Sequence, residues 1–217
     1  MIIQFCSIKG GCGKSTLSVN LAVEYLRLGY SVALIDGDKQ SSSNNWSQRR
    51  ESNEELAQVH SIQKYGRINK TILDVAEQYD CVIVDTGGFD SQEMRTALMV
   101  ADIAIMPFKP SQMDLDTLPR LEEILLAAKD FNSSLKVFGL LNMSPTNIMS
   151  KEIDEAKELL KDYPIISLMN SLIHERKAFR DCIKYGLSVI EMTDNKAKIE
   201  IENLSKELNE YLKISEA

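Results

Sequence analysis

No apolar run in this sequence approaches the ~18 residues a membrane-spanning helix needs, so no spanning helix is expected. Cysteine is sparse: Cys6, Cys12, Cys81 and Cys182 form no Cys-x-x-Cys pair and share no metal-ligand spacing with the two histidines, His60 and His174. That argues against a disulfide framework and a zinc site. Cys6 and Cys81 lie in apolar runs and read as small buried hydrophobes. An excess of positive charge is also missing, because 25 Lys and Arg face 32 Asp and Glu, a net charge of −7. A chain that coats nucleic acid with its whole surface is usually basic, so any such contact here must come from a local patch. Repeats, low-complexity tracts and Pro- or Gly-rich linkers are absent, and 217 residues suit a single domain, expected over residues 1–217. The opening Met1-Ile2-Ile3 runs straight into a strand rather than a signal peptide, so a cytoplasmic location is expected.

What is present is concentrated in Lys9-Gly10-Gly11-Cys12-Gly13-Lys14-Ser15-Thr16. The segment follows the short apolar run Ile2–Cys6 and precedes a helical pattern from Leu17. Strand, glycine-rich turn and helix together make a phosphate-cradling loop. Glycines let backbone N–H groups face an anion, and the helix N-terminus adds partial positive charge. Lys14 is placed to reach the β- and γ-phosphates of a nucleotide, and the Ser15 hydroxyl to ligate Mg²⁺. Cys12, beside Lys14 and a helix N-terminus, sits where the thiolate is favoured, so alkylation that ATP blocks is expected there.

Short apolar runs alternate with longer amphipathic ones, the signature of an α/β fold with a mostly parallel twisted sheet covered by helices on both faces. Strands are expected at Ile2–Cys6, Ser31–Asp36, Cys81–Asp85, Ile103–Pro107, Val137–Leu141 and Ile165–Leu168, with a weaker one at Gln58–Ile62. Helices are expected near Lys14–Leu28, Ile68–Gln78, Ser91–Val100, Leu115–Lys129, Lys151–Lys161, Lys177–Lys184 and Lys196–Leu212, the first capped by Gly29. Scattered methionines, among them Met99, Met106, Met143, Met149 and Met169, read as core filling.

The loop departs from Gly-x-x-x-x-Gly-Lys-Ser/Thr: Ile8 stands where the first glycine belongs, and Lys9 precedes the glycine pair. In this it resembles the deviant Walker A motif of the ParA/MinD family of dimeric ATPases. The resemblance implies a P-loop NTPase fold, ATP and Mg²⁺ as cofactors, and a Lys9 that crosses a dimer interface to the partner's nucleotide. The whole loop, Lys9 to Thr16, would contact nucleotide. In Asp36-Gly37-Asp38-Lys39-Gln40 the family's Asp-x-Asp-Pro-Gln is matched except at Lys39. By that match Asp36 supports the Mg²⁺ shell, and Asp38, in a first switch loop, positions the attacking water. Cys81–Asp85 is an apolar strand ending in a Walker B aspartate, with Asp85 on Mg²⁺ through water. Gly87-Gly88 form a second switch, which Asp90 joins unless it is a helix cap. Asn142 stands where the family contacts adenine, and turn formation is an equal reading of it. Trp46 follows the first switch, as in similar small partition ATPases, with packing as its default role.

On a helix, Lys177, Arg180 and Lys184 share one face, and with Arg176 they resemble the C-terminal basic region by which small ParA proteins bind DNA nonspecifically. A solvated face, ion-paired to Glu175 and Asp181, is the competing reading. The last segment, Lys196–Ala217, is acidic, unlike the basic membrane-inserting tail of MinD proteins, so no membrane contact is expected. The family's N-terminal helix-turn-helix domain is not expected either. The resemblance thus implies a weak, partner-stimulated ATPase whose Mg-ATP dimer binds nonspecific DNA. With a ParB-like centromere-binding protein it would segregate plasmid or chromosomal DNA, and its ATP form would associate with the nucleoid. The alternative is an ATP-switched positioning protein for a non-DNA cargo. Metabolic relatives fit poorly: beyond Asp85 only Cys182 could hold a cluster, and no substrate domain remains.

Overall fold

The computed structural model describes residues 1–146 and 151–213, apart from the Lys213 side chain. The expected core role of Met149, and the charges counted at Lys213 and Glu216, lie outside that part. Seven strands form one sheet: β1 (Ile2–Phe5), β2 (Val32–Gly37), β3 (His60–Gln63), β4 (Cys81–Thr86), β5 (Ile103–Phe108), β6 (Lys136–Ser144) and β7 (Ser167–His174). Their order is β3-β2-β4-β1-β5-β6-β7, and every neighbouring pair is parallel. Around it pack α1 (Lys14–Arg27), α2 (Ser42–Glu51), α3 (Asn69–Ala76), α4 (Gln92–Leu98), α5 (Gln112–Leu115), α6 (Leu118–Phe131), α7 (Lys151–Leu160), α8 (Lys177–Lys184) and α9 (Asn195–Lys213).

The central strands are apolar on both sides because both faces are covered. Ile3, Phe5 and Ile83 pack under Leu17, Leu21, Ile201 and Leu204 of α1 and α9, with Trp46 of α2 and Phe179 of α8. Val82, Val84 and Ile35 pack under Ile72, Met94, Leu121 and Leu125 of α3, α4 and α6. Each such side chain contributes about 1.5–3 kcal/mol on burial. Because β1 lies between β4 and β5, the chain reverses its direction across the sheet there, and ligands of open α/β sheets bind outside the strand ends at such a point. The register fixes what meets there: Phe5, Asp85 and Asp36 are neighbours across β1, β4 and β2.

Gly29 ends α1 as expected, at φ 93, with Tyr30 N–H bonded to Tyr25 O and Gly29 N–H to Leu26 O. Three elements differ from expectation. The expected Leu115–Lys129 helix is two, α5 and α6, with Pro119 in the first turn of the second, where it has no N–H to donate to Leu115 O and continue a single helix. β7 runs to His174, well beyond Leu168. Its edge N–H groups at Asn170 and Ser171 are bonded to the Glu207 carboxylate and that of His174 to Glu200, all from α9. The acidic character of α9 is thus partly spent on strand capping. Finally, α2 was not expected; its sequence offers one large apolar residue, Trp46. No described helix is long and apolar enough to cross a membrane.

Candidate functional site

Between β1 and α1 the loop takes the shape its glycines permit, with Gly11 at φ 74 and Gly13 at φ 90. A Cβ on Gly10 or Gly11 would meet nothing within 4 Å, whereas one on Gly13 would lie 2.3 Å from Asn142 Nδ2. Asn142 is held against the loop by its own amide, which donates to Cys12 O at 2.7 Å. The loop walls a cavity of about 410 Å³, lined also by Ser15, Thr16, Asp38, Gln40, Phe89, Met143 and Ile183. Lys14 is nearly buried, its ammonium donating to Lys9 O at 3.2 Å. Lys9 leaves the loop on the other side: Nζ lies 2.6 Å from Asp114 Oδ2 at the start of α5.

Asp36 and Asp85 are both fully buried, and their environments differ. The Asp36 oxygens accept the N–H groups of Asp38 and Asn44, each at 2.9 Å. Neither Asp85 oxygen has a hydrogen-bond partner, and neither has the nearby Ser43 Oγ. Burial pushes the Asp85 carboxyl up to about 7; the approach of Ser15 lowers it, Asp36 raises it, and Lys14 and Ser43 lower it further. An orphaned buried carboxylate below an open phosphate loop fits a cation at this point. Among the described residues no three His, Cys, Asp or Glu side chains cluster as direct ligands. A cation here would therefore rest on Ser15, on phosphate oxygens and on waters held by Asp85 and Asp36, the pattern Mg²⁺ prefers.

Asp38 faces the cavity and uses Oδ1 to accept the Gln40 N–H at 3.0 Å. Past the end of β4 a Cβ on Gly88 would fall 2.6 Å from Gly10 N and 2.7 Å from Lys9 O, so this glycine lies directly on the Lys9–Gly10 peptide. Asp90 is not the cap of α4; Ser91 is, accepting the Met94 N–H. Asp90 instead binds Arg95 and Arg120.

Two sequence expectations are corrected. Two of the methionines expected to fill the core do not: Met143, at φ 52, lines the cavity at the end of β6, and Met99 is 37% exposed at the end of α4. Cys12 is 1% exposed, turned beneath the loop and 3.5 Å from Lys9 O, which removes the access that ready alkylation requires. The proposed DNA residues are brought together only in part. Arg176 donates through Nε and Nη2 to Glu200 Oε1 and is turned inward, while Lys177 lies 3.6 Å from Asp181 and Arg180 3.1 Å from Glu175, both exposed. Lys184 sits over the Tyr185 ring. A small second hollow, sharing Thr16 and Met143 with the first cavity, is lined by Asn142, His174 and Phe179. The roles of Met143, Phe89 and Asp114 carried no sequence signal.

The family model of ATPase MipZ matches residues 1–134. The maintenance of carboxysome distribution protein A of Halothiobacillus neapolitanus is 26% identical over 193 residues, covering 88% of this chain and 87% of that protein. Among solved structures, apo McdA of Cyanothece superposes with a TM-score of 0.78 at 17% identity, over 96% of this chain and 99% of that one. A putative plasmid partition protein of Borrelia burgdorferi bound to AMPPNP gives 0.74 at 19% identity, over 97% and 98%. With its lysine-bearing phosphate loop and parallel seven-stranded sheet, this chain belongs to the ParA/MinD family of deviant Walker A ATPases.

Proposed function

We propose that residues 1–217 act as one ATP-switched domain that pairs with a second copy of itself, binds DNA without sequence preference and, with a centromere-binding partner, segregates a replicon. The observation that carries this reading is the place of Lys9. Its ammonium is held at the rim by Asp114, outside the cavity that Lys14 and Ser15 line, one ion pair away from reaching a neighbouring molecule. Mg²⁺ bound with ATP supplies charge neutralisation at the γ-phosphoryl group. Around it Lys14 would neutralise phosphate oxygens, the Gly10–Thr16 backbone would orient them, and Ser15 would ligate the cation. Asp85 and Asp36 would hold its waters, and Asp38 would orient the attacking water. Asn142 and its hollow would take the adenine. In this reading the ATP form sits on the nucleoid in the cytoplasm.

The DNA surface is α8, where Lys177, Arg180 and Lys184 remain exposed. Three cations on each of two copies limit the slope of log affinity against log salt to about −5. The test is a salt-titrated DNA-binding assay with ATP, with ADP and without nucleotide. Steeply salt-dependent binding confined to the ATP form is expected; none, or equal binding in all three states, sinks the DNA reading. A second reading, positioning of a non-DNA cargo, draws support from the ion pairs of Arg176, Lys177 and Arg180 and from the likeness to a carboxysome distribution protein. It predicts an ATP-dependent dimer that ignores DNA.

A further inference from the structure

Helix α2 has one end in the nucleotide site and the other under α8. Its first turn supplies the Asn44 N–H that holds Asp36, and Ser43, whose buried hydroxyl faces Asp85 without a partner. Just before it Ser41 adopts φ 54, a left-handed conformation that costs a non-glycine residue about 1–3 kcal/mol. That residue is fixed by Gln63 Nε2, which donates to its hydroxyl at 2.7 Å. The junction between the Asp38 loop and α2 is therefore strained and clamped.

Three to seven residues past Ser43, about 5–10 Å at 1.5 Å per residue, α2 is bolted to the last turn of α8 and the chain that follows it. Trp46 Nε1 donates to Leu187 O at 2.9 Å, Arg49 Nε to Ile183 O at 3.1 Å, and Arg50 Nη1 to Gly186 O at 3.0 Å. Arg50 is fully buried, forms a two-pronged pair with Glu191 at 2.6 and 2.9 Å, and lies over the Trp46 ring. Gly186, at φ 67, approaches so closely that a Cβ would lie 2.5 Å from Arg50 N. From the opposite side Asn20 of α1, the phosphate-loop helix, accepts the Ser188 hydroxyl and the Val189 N–H. Residues 183–191 are thus gripped between the helix of the phosphate loop and the helix of the first switch.

We propose that α2 couples the phosphate end of the site to α8, with Trp46, Arg50 and Glu191 as positioning residues. A change at Asp36 and Asp38 shifts α2 against α1, and the segment gripped between them carries the shift to the last turn of α8 and its cations. The inference rests on the nucleotide switch proposed above, and its test separates the two. DNA affinity is measured with a non-hydrolysable ATP analogue and with ADP for the wild type, Glu191→Gln and Trp46→Phe, each shown to be folded by thermal unfolding. The variants should cut the ratio of the two affinities roughly 5- to 10-fold while nucleotide binding stays within about twofold. Variants that keep the full wild-type ratio overturn the coupling. In parallel, amide exchange of residues 183–191 is compared in the two nucleotide states. The wild type should differ between states, and Glu191→Gln should erase the difference. If the wild type binds DNA equally in both states, the DNA reading fails and exchange alone decides. Equal exchange with both nucleotides demonstrably bound overturns the coupling, whatever the variants do.

Discussion

Replacing Asp114 by Asn removes the charge that holds Lys9 on its own molecule while keeping the shape of the site. In the wild type Asp114 Oδ2 accepts from Lys9 at 2.6 Å and from Ser111 Oγ at 2.8 Å, and Oδ1 faces the Lys109 N–H at 3.4 Å. The aspartate side chain is 4% exposed and the lysine 31%. The pair therefore lies between exposed ion pairs, worth about 0–1 kcal/mol, and buried ones, whose breaking costs about 3–5 kcal/mol. About 1–2 kcal/mol per molecule is a reasonable value for the half-exposed case. If Lys9 must leave Asp114 to reach a partner's nucleotide, two such pairs break per dimer. Asp114→Asn should then tighten the ATP-dependent dimer by about 2–4 kcal/mol, roughly 30- to 1,000-fold in dissociation constant. Analytical ultracentrifugation with a non-hydrolysable ATP analogue reads this directly, with Lys9→Ala as the variant that should not dimerise. A weaker or unchanged dimer in Asp114→Asn would show that the carboxylate aims Lys9 rather than restraining it, and the reasoning would fall.

The remaining expectations concern the loop and the cation site. Gly88→Ala forces a Cβ onto the Lys9–Gly10 backbone, which cannot yield as a side-chain tip can. Such overpacking costs about 1–3 kcal/mol, and Tm should fall by about 2–4 °C for each of them in calorimetry. Burial disfavours the charged form of Asp85 and raises its carboxyl to about 7 from the ordinary 3.8. In metal-free protein its contribution is most favourable below the unfolded value and is lost as pH rises towards 7. Asp85→Asn should therefore raise the metal-free Tm at pH 8 while abolishing stabilisation by Mg-ATP; an unchanged pH profile of unfolding contradicts the burial argument. Cys12 should react with iodoacetamide slowly both with and without Mg-ATP, and fast labelling of the free protein would mean that the loop opens.

How much of this could be read from the sequence divides along a physical line. The phosphate loop, the strand-end aspartates Asp36 and Asp85 and the central strands were legible because each rests on local chemistry: glycines needing positive φ, a carboxylate ending an apolar run, β-rich segments buried on both faces. Even the ends of α8 were read correctly, from a short amphipathic pattern. What escaped is held by partners distant in the chain. The helix α2 carries almost no apolar periodicity, and what holds it is a buried guanidinium, Arg50, whose partner Glu191 lies 141 positions away. β7 continues past Leu168 because carboxylates of α9 satisfy its edge. Asp114 meets Lys9 across 105 positions. Met143 takes a left-handed conformation that no methionine announces.

The charge of the chain illustrates the same division. A net −7 counts every carboxylate as if it faced water, yet Glu200 and Glu207 on α9 are each less than a tenth exposed and are spent on backbone N–H groups of β7. Asp36 and Asp114 are also buried against donors inside the fold. Removing these from the ledger makes the surface less acidic than the composition suggests, and the composition alone therefore weighs little against an anionic partner. The same bookkeeping does not make α8 strongly basic, since Arg176 is consumed by Glu200 and Arg180 is shared with Glu175. An anionic partner that binds here has to draw Arg180 from Glu175 and Lys177 from Asp181, both solvent-exposed pairs worth little. Drawing Arg176 from Glu200 would instead leave a carboxylate that is less than a tenth exposed without its guanidinium. Lys177, Arg180 and Lys184 are thus the cations the fold can give up, and Arg176 is one it keeps.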